Sequence, residues 1–171
     1  MIKAISVLML VQAAAAVPSA SPPRPPEAFK PVSPELISRA DALAVAEASL
    51  RACEALKETV AVFVTDADGN LRAAMTSDNL NPIGLRSVTG KTAAVLAFKA
   101  STRDLEARLK TDPAFAEQYG KDPRYFYHPG AVPLYRDGKF VAVLALGGGH
   151  DKDEGCALQG LKVLPWARTT P

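Results

Sequence analysis

Val60-Ala61-Val62-Phe63-Val64-Thr65 is a β-branched and aromatic run that Asp66-Ala67-Asp68-Gly69-Asn70 interrupts before Leu71 to Thr76 resumes it. Branched and aromatic side chains suit a pleated, half-buried surface, and a short Asp/Gly/Asn cluster between two such runs marks a hairpin turn. The same pattern recurs downstream: Val132 to Tyr135, a turn at Arg136-Asp137-Gly138-Lys139, then Phe140 to Leu146. Two hairpins imply antiparallel pairing rather than the repeated strand–helix units of a parallel sheet.

The segments around the hairpins read as helices. Ser38 is positioned to cap a helix that runs to about Leu56, with Leu43, Ala46, Leu50, Cys53 and Leu56 as its apolar face. After Pro82 a second helix places Val88, Thr92, Val95 and Lys99 on one side, with Lys91, Ala94 and Phe98 beside them. Ser101 or Thr102 caps a third through Leu109, and Asp112-Pro113 restarts a short one toward Tyr119. Gly120 to Pro133 is a long aromatic loop, and loops of that length in compact domains are often functional. Gly147-Gly148-Gly149 ends the last strand, and Asp151 or Asp153 opens a final helix carrying Ala157, Leu161 and Leu164, stopped by Pro165. The expected fold is α+β: a small antiparallel sheet built from two hairpins and flanked by helices.

The chain has 171 residues, enough for one domain with extensions. Aromatics are only 6%, so Ala, Val and Leu must build the core. The formal net charge is +2, and Lys3 supplies one of those charges, so no basic field gathers nucleic acid. Lys3 begins a short apolar stretch, Ala4 to Val17, followed by small residues. That order describes a secretory signal peptide over residues 1–20 and is too short for a comfortable membrane span, so none is expected once the signal is cleaved. Residues 21–35 are a proline-rich linker, 36–165 the folded domain and 166–171 a C-terminal tail. The protein is therefore expected to be exported, to a periplasmic or extracellular location.

Over residues 38 to 164 the chain resembles the GlcG/HbpS family of haem-binding proteins. Val62-Phe63-Val64-Thr65-Asp66-Ala67-Asp68-Gly69-Asn70-Leu71 is similar to that family's first hairpin, and Lys91-Thr92-Ala93-Ala94-Val95-Leu96-Ala97-Phe98 to its central helix. Pro129-Gly130-Ala131-Val132-Pro133-Leu134 resembles its proline-glycine-glycine-valine-proline segment, with Ala131 in place of the second glycine. Gly147-Gly148 and Asp153-Glu154 resemble the glycine loop and the acidic start of its last helix. Ala94 stands where many members have a threonine three residues after the lysine. The resemblance implies a profilin- or roadblock-like layout, homo-oligomers and a haem or related tetrapyrrole ligand, with Gly130 near it. It also implies that the first and last helices lie close together, which would allow a Cys53–Cys156 disulfide in an oxidising compartment. Two buried thiols are the alternative.

His128 and His150 are the two histidines, and neutral imidazole is a good iron ligand. His128 lies in Tyr125-Phe126-Tyr127-His128-Pro129, whose rings suit a porphyrin face, and a tyrosine such as Tyr125 or Tyr127 can itself ligate haem iron. The alternative is that the rings plug the sheet edge. His150, in an acidic loop, is either a second metal contact or an exposed loop residue. Lys91 and Arg86 could pair with haem propionates or be solvated helix residues, and the resemblance favours Lys91.

Other motifs fail on spacing. Five residues separate Gly84 from Gly90 where a phosphate loop before Gly90-Lys91-Thr92 needs four. A calcium loop beginning at Asp66 would need a glutamate where Ser77 stands. No nucleophile–base–acid set is visible. The leading expectation is thus a non-catalytic haem carrier or sensor. An enzyme acting on a small organic acid or degrading haem, and an assembly module without a small ligand, are the rivals.

Overall fold

The structure is a computed structural model that describes residues 36–171. The expected signal peptide and the whole proline-rich linker fall on residues 1–35, outside the described residues.

Capping side chains begin four of the helices. Ser38 accepts from the Asp41 amide at the start of α1 (Arg39–Glu54), and Asn81 from the Ile83 amide at the start of α2 (Pro82–Phe98). Ser101 does the same for α3 (Thr102–Thr111), and Asp112 for α4 (Pro113–Tyr119), where proline takes the first helical position. β1 (Ala61–Asp66) turns into β2 (Leu71–Thr76), and β3 (Ala131–Arg136) into β4 (Lys139–Gly147). The last helix, α5 (Asp153–Gly160), lies between 3₁₀ turns at His150–Lys152 and Leu161–Val163.

Both expected hairpins form. Asp137 and Gly138 have φ of 51° and 75°, the paired left-handed conformation whose twist suits a two-residue hairpin loop. In the first turn, the buried Asp66 carboxylate accepts from the amides of Asp68 and Asn70 and from the Asn70 side chain. Those bonds commit Asp66 to the turn, and the described residues contain no cluster of three metal-ligating side chains. The strands order as β2-β1-β4-β3, with every neighbour antiparallel. The mixed α/β architecture is the expected one.

The pleat divides the core. Val62, Val64, Ala142, Leu144 and Leu146 face one way, against α1 and α5. Ala61, Val143 and Ala145 face the other way, against Val88 and Val95 of α2. A third apolar group joins α2, α3, α4 and the loop before β3: Phe98, Phe115, Tyr119, Tyr125 and Tyr127, with Ala94 and Leu105.

The face of α1 differs from the expected one. Its buried residues are Ala42, Val45, Ala46, Ser49, Leu50 and Cys53, whereas Leu43 and Leu56 are exposed. The helix is turned by its partner: a Cβ on Gly160 of α5 would collide with Ser49 Oγ, so the two helices meet at small residues. Cys53 and Cys156 are disulfide-bonded across this contact, with Cα atoms 5.3 Å apart. Residues 166–168 do not hang free as a tail. Trp166 packs on the core under the Arg136 guanidinium, and Arg168 pairs with Tyr135 at the sheet edge. Among the described residues no helix is long and apolar enough to cross a membrane.

Candidate functional site

Three segments converge at the end of the sheet where β3 begins and β4 ends. They are the first turns of α2, the loop Tyr125–Gly130, and the glycine run that leads from β4 into α5. Together they form a small open cleft of about 160 Å³ lined by Ile83, Gly84, Ser87, Phe126, His128, Gly148, His150 and Asp153. His128 and His150, 22 positions apart in sequence, are thereby brought into one site. His128 is half-buried, and its Nε2 lies 3.2 Å from Oδ1 of the exposed Asp151. His150 is exposed and holds a left-handed backbone, φ 53°, uncommon outside glycine. Phe126 turns outward and is 45% exposed, enough to present a ring face to a ligand.

Below the cleft lies Lys91, fully buried on α2 rather than solvated. Its ammonium donates to the carbonyls of Pro129 and Leu146, each at 3.0 Å, and to Asp153 Oδ2 at 2.6 Å. The other Asp153 oxygen accepts from the Gly149 amide at 2.8 Å. An ammonium has three protons, and all three are engaged, so Lys91 has none left for a propionate. Burial pulls its pKa below the ordinary lysine range, against the opposing pull of Asp153. Beside the pair, the carboxylate of Glu154 is held by Arg103 of α3.

Gly130 is part of this arrangement and not of the cleft wall. Its φ is +146°, and a Cβ there would lie 2.5 Å from Lys91 Nζ and 2.6 Å from Asp153 Cβ. Only glycine lets the strand start cross the buried ion pair. Tyr125 and Tyr127, expected near a ligand, turn instead into the aromatic cluster. The Tyr125 ring packs 5.2 Å from Phe98, and the Tyr127 hydroxyl donates to the Tyr119 carbonyl at 3.2 Å. Burial, first of all, pushes the Tyr127 phenol up to about 12. Arg86 is exposed on α2, one turn beyond Ile83. Sequence reasoning missed Asp153 as the partner of Lys91, because its acidic position at a helix start is already accounted for by the helix dipole. The sequence groups Phe126 with the two tyrosines as rings for a ligand, and only the structure separates it from them as the ring that faces outward.

The same fold occurs in solved proteins, 11 of whose chains match. The crystal structure of HbpS is 26% identical with a TM-score of 0.66, covering 82% of this chain and 96% of that one. A double mutant of Streptomyces reticuli HbpS is 27% identical with a TM-score of 0.66, covering 88% of this chain and 98% of that one. A PduOC:heme complex, 18% identical with a TM-score of 0.71 and covering 80% and 99%, shares the fold. No curated protein sequence matches. A family model described as "Haem degrading protein HbpS-like" matches residues 37–162, from the residue before the α1 cap to the last turn, and the chain therefore belongs to the HbpS-like family.

Proposed function

We propose that the cleft binds haem or a related tetrapyrrole, with His128 or His150 meeting the iron. The convergence of both histidines on one cleft carries this reading. Imidazole is a common haem ligand, and the outward Phe126 ring and Ile83 offer apolar surface to a flat macrocycle. Membership of a family described as haem degrading supports it. The cleft of about 160 Å³ is smaller than the roughly 300–1,000 Å³ of pockets that enclose a ligand. It therefore takes one edge of the macrocycle while the rest lies over Ile83 and Phe126. With Lys91 engaged below, Arg86 is the residue for a propionate.

The role is that of an exported carrier or sensor, working as a homo-oligomer. The disulfide is compatible with an oxidising compartment. The family's description favours haem breakdown as a second reading. Haemin titration of the full chain, His128→Ala and His150→Ala separates these possibilities. A saturable Soret shift is expected, altered in the variant that removes the iron ligand. Identical spectra and affinities in all three proteins would remove both histidines as ligands. Loss of the Soret band with product formation on adding reductant would establish breakdown instead of carriage. Light scattering on the same samples tests the oligomer, and a monomer at all concentrations would rule it out. Cell fractionation tests export, which uncleaved protein confined to the cytoplasm would refute.

A further inference from the structure

We propose that Lys91 and Asp153 are a positioning pair that sets His128 and His150 relative to one another. The inference rests on the cleft being the binding site and assigns its buried floor a task. Each bond of the pair ends next to a histidine-bearing segment. The Pro129 carbonyl, which accepts from Lys91, belongs to the residue after His128. The Gly149 amide, which donates to Asp153, belongs to the residue before His150. The Leu146 carbonyl, also on Lys91, is the last in β4 before the glycine run begins at Gly147. One ammonium and one carboxylate thus hold both loops.

Hydrophobic packing could not do the same. The loops meet the floor through backbone carbonyls and an amide, and buried groups of that kind need hydrogen-bond partners. Van der Waals contact fixes separation loosely, whereas three donors on one nitrogen fix direction. His150 holds a left-handed backbone that its own side chain disfavours, so something outside the residue must hold it there. The bond from Gly149 to Asp153 is next to that strained residue. A Cβ at Gly130 would collide with Lys91 Nζ, Asp153 Cβ and the Leu146 carbonyl, so the backbone entering β3 passes directly against the pair. The neighbouring carboxylates have contacts of their own: Glu154 of α5 pairs with Arg103 of α3, and Asp151 Oδ1 lies 3.2 Å from His128 Nε2. The Phe126 ring lies 6.0 Å from the ammonium, so the pair also borders the outward ring of the cleft.

Having two histidines makes the test direct. Histidine-labelled full chain gives two imidazole signals by NMR without any ligand. In Lys91→Met, which keeps the stem and removes the donors, both signals should shift. The Tyr127 phenol should still titrate as in wild type, which shows that the aromatic cluster stays intact. Asp153→Ala, which removes both the partner of Lys91 and the acceptor of the Gly149 amide, should likewise move both signals, and it carries the test if Lys91→Met does not fold. Lys110→Met on the surface of α3 should move neither. Histidine signals unchanged in the two cleft variants, or only one of them moved, would overturn the proposal. Haemin binding in both variants should weaken about 10–100-fold, the usual effect of losing a group that orients a ligand. If wild type takes up no haemin, the binding reading fails, and the histidine signals still decide the positioning pair.

Discussion

The phenol of Tyr127 is enclosed by the aromatic cluster, with the Phe115 ring 6.3 Å away and its hydroxyl bonded to the Tyr119 carbonyl. Its pKa is pushed up to about 12, chiefly because burial disfavours the phenolate. An acid whose folded pKa lies above its unfolded value stabilises the fold fully below the unfolded value, about 10 for tyrosine. That stability should be lost as pH rises from about 10 toward 12. Tyr127→Phe should lose about 1 kcal/mol at neutral pH with the hydrogen bond, and should show a shallower alkaline decline. Denaturant unfolding at neutral and alkaline pH checks this, and parallel declines in the two proteins would sink it. Single residues were the hardest part of the site to read from sequence. Lys91 has the spacing of a helix side residue, and its partners lie 38, 55 and 62 positions away. No local pattern reports whether a lysine finds three acceptors that distant. The histidines were legible as candidates because their chemistry is carried by residue type, but their meeting in one cleft depends on where two loops end.

At the scale of elements, the hairpins and helix starts were legible because their causes are local. Asp137-Gly138 supplies the two left-handed residues its turn requires, and Ser38, Ser101 and Asp112 supply capping oxygens, while Pro82 marks the start of α2 that Asn81 caps. The face of α1 was not legible, because leucines draw the periodicity toward Leu43 and Leu56 while the contact with α5 needs small residues. Gly160 lies where a Cβ would come within 2.8 Å of both Cα and Cβ of Ser49. Alanine gains up to about 1 kcal/mol over glycine in a helix interior, and less at a helix end. Displacing a packed backbone costs more, typically 1–3 kcal/mol. Gly160→Ala should therefore destabilise by about 1–2 kcal/mol despite the better helix former. Ser49 Oγ is buried without a hydrogen-bond partner among the described residues, so Ser49→Gly in the same chain should recover part of the loss. Thermal unfolding of the single and double variants measures the coupling. A single variant as stable as wild type would show that the helices can part at no cost.

At the largest scale, the two ends of the described domain are joined by few links. The sheet is made of hairpins, each local in sequence, and its central pairing of β1 with β4 is the long-range link among the strands. The covering layer of α1 and α5 comes from opposite ends of the domain, and the bond between Cys53 and Cys156, 103 positions apart, crosses it. Closing a loop of about 100 residues removes chain entropy from the unfolded state worth roughly 4.7 kcal/mol in the simplest account, and measured losses for native disulfides run about 2–5 kcal/mol. The bond also begins three residues after Asp153, on the same helix. Replacing both cysteines by alanine should lower the melting temperature by about 10–15 °C, since roughly 1 kcal/mol shifts a domain of this size by several degrees. Denatured wild type should show no free thiol to a thiol reagent until it is reduced. If the loss appears in the unfolding midpoint while the two histidine signals stay in place, the disulfide acts through the unfolded chain and the Lys91–Asp153 pair alone holds the cleft. If the histidine signals move as well, the anchoring of α5 on α1 reaches the cleft through Asp153. An unchanged melting temperature would mean that packing at Ser49 and Gly160 suffices to hold the ends together.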